Sequence, residues 1–187
     1  MMDTFTKKIL KNDYYDEHIF YNQLENINGI NRLIDYKKTD KYVYLIFKKI
    51  NGRTINYCFN INILDIFKKI CKIISNIHKM DIIHMDISVN NVMISKGKIY
   101  LIDFGNSIII NSSKSKLNYS KCIGRWQNIA PETLKKNKIG FFNDIWALGI
   151  LLYNMTYNKE PFNKKNYKWE DIYFNNEYKN ENKVFKY

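Results

Sequence analysis

Arginine is nearly missing from this chain. It occurs only at Arg32, Arg53 and Arg125, although Lys and Arg together number 30 of 187 residues and the net charge is +12. A surface built to grip nucleic acid draws on the arginine fork, which pairs with phosphate through two parallel bonds. A charge carried by lysine reads instead as compositional bias, so nucleic-acid binding is not expected beyond weak, salt-sensitive attraction. Proline occurs twice and glycine seven times, too sparsely for collagen-like or low-complexity architectures. The three cysteines, Cys58, Cys71 and Cys122, are odd in number and widely spaced. They fit neither a disulfide framework nor a zinc site and suit a reducing compartment, cytoplasmic or nuclear. "MMDTFTKKILKND" lacks the apolar stretch of a signal peptide, and "IWALGILLY", the longest apolar run, is too short to span a bilayer.

What is present is a 45% hydrophobic chain, enough for one packed domain over residues 1–187. Residues 4–10 predict a strand, and 15–27 a helix with Ile19, Phe20 and Leu24 on its buried side. Residues 30–36 and 41–47 predict two strands joined by a polar turn. Ile63, Ile66, Phe67, Ile70, Ile73, Ile74 and Ile77 recur at helical spacing, and that period outweighs the strand preference of isoleucine. "VMI" and "KIYLI" flank "SKGK", a hairpin turn with Gly97 at positive φ. Residues 111–121 read as a polar loop. Residues 143–155 are apolar almost all round and predict a buried helix. The tail from 163 reads as polar and loosely helical.

Two polar bursts interrupt these apolar segments: "HMDISVNN" at 84–91 and "DFG" at 103–105. Carboxylates beside segments meant for burial need a partner. One reading is a loop that holds metal and phosphate; the other is that Asp86 and Asn91 cap turns.

These residues carry a resemblance. "HMDISVNN" resembles the catalytic loop of protein kinases, and "DFG", "APE" (130–132) and "DIWALG" (144–149) follow in that family's order. The resemblance implies an α+β, protein-kinase-like fold with a reduced N-lobe (about 1–50) and a mostly helical C-lobe (about 51–187). It implies transfer of phosphate from ATP, with Mg, to serine or threonine of a protein substrate, without a membrane partner. Asp86 is then the residue that orients or accepts the substrate hydroxyl proton, and Asn91 and Asp103 hold the metal. Lys8 becomes the phosphate-contacting lysine, or Lys7 if the register slips by one. Glu17 is its helix partner and Thr6 lies over adenine. Phe47 stands before the hinge, Lys48 to Ile50 form the hinge, and Met93 packs beneath the base. Tyr21, Leu33, His84 and Phe104 fall on the family's internal hydrophobic spine, and Asp144 ties the backbone near His84 to the buried helix.

The chain departs from that pattern in places. Few residues precede the strand of Lys8, so the glycine-rich loop over the phosphates is expected to be absent and nucleotide affinity weak. The family's last helices are expected to be missing too, with the arginine that pairs with Glu132. Met85 replaces the arginine that reads a phosphorylated loop in many kinases. Ser88 replaces the lysine beside the transferred phosphate, and Arg125 replaces a threonine near the same spot. Arg125 is thus a candidate to supply the missing charge, or else a substrate-contacting or surface residue. The rival function is a kinase mimic that binds and blocks another kinase or its substrate.

Overall fold

A computed structural model of the chain describes residues 3–57, 62–110, 128–136 and 139–162. Strand β1 (Thr4–Leu10) comes first, followed by helix α1 (Glu17–Gln23) and strands β2 (Leu33–Lys38) and β3 (Tyr42–Lys48). They form an antiparallel sheet in the order β1-β3-β2. β3 is central and alternates strictly, with Val43, Leu45 and Phe47 buried, as one covered face of a pleated sheet requires. Register is fixed by the pairs Phe5↔Phe47, Lys7↔Leu45 and Lys8↔Tyr44.

Helix α1 is shorter than its sequence pattern suggests, and its buried stripe is Glu17, Phe20, Tyr21 and Leu24. That is i, i+3, i+4, i+7 spacing. Ile19, expected inside, faces solvent at 36% exposure; the charged Glu17 occupies the stripe that hydropathy would assign to an apolar residue.

The second body begins with the short β4 (Arg53–Thr54) and helix α2 (Ile63–His78). Asn62 caps α2 by accepting from the Asp65 N–H at 3.0 Å, satisfying one of the helix's orphan donors. Ile66, Ile70, Ile73, Ile74 and Ile77 are buried along one face, each contributing about 1.5–3 kcal/mol of transfer free energy. β5 (Ile82–Ile83) pairs with β8 (Ile108–Ile109), and β6 (Val92–Ser95) and β7 (Lys98–Leu101) make the expected hairpin, with β4 on its outer side. Lys96 and Gly97 both have positive φ, the signature of a two-residue turn whose twist matches its strands. The Leu101 N–H donates to the Gly29 carbonyl at 2.7 Å, joining the hairpin to the segment between α1 and β2.

α3 (Pro131–Lys136) and α4 (Phe142–Tyr157) complete the described chain. α4 buries Asn143, Asp144, Ala147, Leu148, Ile150 and Leu151, but Ile145 is 59% exposed, so the helix is not covered all round as its composition suggests. No helix among the described residues is long and apolar enough to cross a membrane. The polar loop at 111–121, the tail from 163, Arg125, Cys58 and Cys122 lie outside the described residues.

Candidate active site

Alternation along β1 decides which lysine reaches the polar centre. Phe5, Lys7 and Ile9 share one side of the strand, and Ile9 packs against the core. Lys7 Nζ donates to both carboxylate oxygens of Glu17, at 3.0 and 2.8 Å, and to Asp103 Oδ1 at 2.8 Å. Lys8 points to the opposite face, its Nζ 3.9 Å from the centre of the Tyr42 ring. The expectation for Lys8 is therefore corrected to Lys7. Thr6 is corrected with it: it shares the face of Lys8, while Phe5, at 56% exposure, stands on the side of Lys7. Counting back by two from the apolar Ile9 is the signal that picks Lys7.

Burial works against the charge on Lys7, but Glu17 and Asp103 outweigh it and hold the ammonium above its ordinary range. Burial is also the largest influence on Asp103, yet Lys7, the Gly105 N–H and His84 together keep that carboxyl below its usual range. Glu17 goes the other way, raised by burial despite Lys7. The cation and Asp103 are thus both charged at neutral pH.

Asp103 sits at φ 67, a left-handed conformation that costs a non-glycine residue about 1–2 kcal/mol. Its backbone N–H donates to the Tyr21 hydroxyl at 3.0 Å, and its Oδ1 accepts from the Gly105 N–H at 3.2 Å. Tyr21 meets Phe47 and Phe104 edge-on, with centroids 4.7 and 5.0 Å apart, and Phe104 meets His84 at 4.7 Å. Three of the four expected spine residues are therefore in continuous ring contact, with Leu33 partly buried against the same core.

The loop at 84–91 is built on polar anchors. Asp144 Oδ2 accepts from the His84 N–H at 2.9 Å, and Oδ1 accepts from the Met85 N–H at 3.0 Å. His78 Nε2 lies 2.8 Å from the same Asp144 Oδ2, a contact the sequence did not suggest. His84 Nδ1 accepts from the Asp86 N–H, so its proton sits on Nε2 and is donated to the Ile102 carbonyl, both at 3.2 Å. Burial keeps His84 below the ordinary imidazole range, which makes it a neutral spacer between loop and strand rather than a base. Asn91 Nδ2 donates to the Asp86 carbonyl at 2.8 Å and to Asp86 Oδ2 at 2.9 Å, while the Asn91 carbonyl accepts from the Ile102 N–H at 2.9 Å. Asp86, Asn91 and Asp103 are thereby tied into one backbone network.

Their free oxygens suit a hard cation. Asn91 spends its amide nitrogen on Asp86 and keeps Oδ1; Asp103 spends Oδ1 on Lys7 and Gly105 and keeps Oδ2. Magnesium takes one or two such ligands and completes its shell with phosphate and water. Among the described residues no three His, Cys, Asp or Glu side chains gather as a metal-holding group. Of the other expected residues, Phe47 is buried on β3 with its ring against Tyr21 of α1. The Lys48 N–H is taken by the Arg32 carbonyl at 2.9 Å, and the Ile50 carbonyl by the Gly52 N–H at 2.9 Å. Met93 lies on β6 opposite Thr54 and Tyr100.

The protein kinase domain model matches residues 2–185, and the chain belongs to that family. Among curated relatives, the serine/threonine-protein kinase MPS1 of Encephalitozoon cuniculi is 33% identical over 71% of this chain and 22% of its own length. The serine/threonine-protein kinase PSK1 of Saccharomyces cerevisiae is 34% identical over 72% of this chain and 10% of its own length. The mouse dual specificity protein kinase TTK is 27% identical over 80% of this chain and 20% of its own length. The chain thus spans between about a tenth and a fifth of the length of these relatives.

Proposed function

We propose that this chain transfers the terminal phosphoryl group of ATP, with magnesium, to a serine or threonine hydroxyl of a protein substrate. The observation that carries the reading is the ion network Lys7–Glu17–Asp103, tied through Ile102 to the Asp86–Asn91 pair. Phosphoryl transfer needs positioning and charge neutralisation more than covalent chemistry. Lys7, kept cationic, binds phosphate oxygens. Asp86 keeps Oδ1 to orient the substrate hydroxyl and take its proton, while Asn91 fixes the other oxygen. Asn91 Oδ1 and Asp103 Oδ2 would hold magnesium, which when bound with ATP supplies neutralisation of phosphate charge. The backbone of Lys48 to Ile50 and the side chain of Met93 receive the base, with Phe5 in the place expected for Thr6 and Phe47 closing the back. Arg125 supplies charge at the transferred phosphate, and Arg125→Ala is expected to lower turnover by about 100-fold.

One observation favours a second reading, a kinase mimic that binds another kinase or its substrate without chemistry. Ser88 is buried where the family pattern calls for lysine, and among the described residues it lines a small cavity with Ile87, Val89, Asn128, Leu151 and Glu160. Nucleotide binding with and without magnesium, followed by radiolabelled phosphate transfer to a generic basic protein, separates the two. Transfer that Asp103→Asn abolishes, together with magnesium-dependent binding, supports the enzyme. Absence of transfer by the wild-type chain sinks it.

A further inference from the structure

We infer that Tyr21 is a positioning residue of this site: its phenolic oxygen holds the backbone of Asp103 in the turn from which the carboxylate acts, so that helix α1 sets Asp103 twice over. The first grip is the ion network, in which Glu17 on α1 holds Lys7 and Lys7 holds Asp103 Oδ1. The second comes from Tyr21, one turn after Glu17, whose hydroxyl accepts the Asp103 N–H at 3.0 Å. The two grips close a ring that starts and ends on one short helix.

The hydroxyl is surplus to packing. Tyr21 is buried at 4% exposure between Phe47 and Phe104, a setting that phenylalanine would fill with the same ring contacts. Burial pushes the Tyr21 phenol well above its usual range, so it stays a neutral acceptor and adds no second negative charge beside Glu17. The Asp103 N–H needs such an acceptor. With φ at 67, Asp103 is in a strained conformation that persists only when its surroundings over-determine it, and its part-buried N–H, aimed at the buried Tyr21, is disfavoured without an acceptor. Losing the hydroxyl therefore releases the turn while leaving the aromatic stack in place. Any displacement of α1 that withdraws Glu17 also withdraws Tyr21, which makes the metal-holding geometry of Asp103 respond to α1 in one step.

The catalytic consequence rests on the phosphoryl-transfer reading, but the conformational one does not, and the experiment uses both. In the wild-type chain the Asp103 amide is expected to be protected from hydrogen exchange. In Tyr21→Phe it is expected to exchange at least tenfold faster, with the amides of β3 and α2 unchanged. Transfer by Tyr21→Phe is expected to show a lower kcat, a KM for ATP within twofold of wild type, and a several-fold higher magnesium concentration for half-maximal rate. A purely structural role would slow none of these selectively. An Asp103 amide that exchanges freely in the wild-type chain overturns the inference even if the variant fails to fold. So does an unchanged Asp103 exchange rate in a folded Tyr21→Phe. Because exchange needs no transfer, a chain inactive towards protein substrates would sink the catalytic reading while leaving this one to be decided by the amide.

Discussion

Lys7 and Lys8 are chemically identical neighbours in sequence, and the pleat of β1 alone gives them different work. Lys7→Met removes the cation shared by Glu17 and Asp103 and is expected to lower phosphate transfer by more than about 100-fold. Lys8→Met removes a cation–π contact with Tyr42, costs about 0.5–1 kcal/mol of stability, and should leave transfer within about threefold; comparing the two variants in one assay tests the assignment. Asp103 also makes a prediction about acid. Its folded-state pKa is lowered, so its contribution to stability is present above the unfolded carboxylate value, about 3.9, and is lost as pH falls through the lower folded value. Glu17, raised by burial, has the opposite sign. Melting temperature followed against pH should therefore fall less steeply on the acid side in Asp103→Asn than in the wild-type chain, and an identical slope would show that the ion network does not couple to folding.

Among the elements, α2 and the β6–β7 hairpin are the ones the sequence makes plain. The isoleucines of α2 repeat at a period no strand has, and Lys96 and Gly97 stand at the two positions where a tight hairpin needs positive φ. α1 is harder, because the residue that defines its buried face is a glutamate whose partner arrives from β1. Hydropathy cannot see that Glu17 belongs inside, so it puts Ile19 there instead. The same blindness covers Tyr21, whose ring is legible as core but whose hydroxyl has a partner 82 positions away, and His78, whose link to Asp144 crosses 66 positions. The catalytic-loop and DFG residues were legible because their spacing is local; Lys7 was ambiguous because a strand gives its face only once its neighbours are known. The difference on α1 is measurable. Leu24→Ala opens space in a fully covered site and should cost about 2–5 kcal/mol. Ile19→Lys should fall within about 0.5 kcal/mol of wild type in chemical denaturation, since that side chain already meets solvent.

For the molecule as a whole, Asp144 is the point to which the start of the 84–91 loop is anchored. It is fully buried and accepts the backbone N–H groups of His84 and Met85 from 60 and 59 positions away. Asp144→Ala would strand those donors and is expected to cost about 3 kcal/mol or more, since a buried and a part-buried N–H lose their charged acceptor; a denaturant titration reads it directly. The separation also has a consequence in time. Contacts between residues so far apart in sequence form late, after the entropy of closing a long loop has been met. During synthesis the His84–Asp86 backbone emerges well before the helix that carries its anchor, and domains complete their packing only as the last contributing segment appears. Until α4 has docked, the His84 and Met85 N–H groups lack the carboxylate that holds them. The nascent chain therefore passes through a period in which the 84–91 loop has already been made but is not yet held as it is in the finished fold.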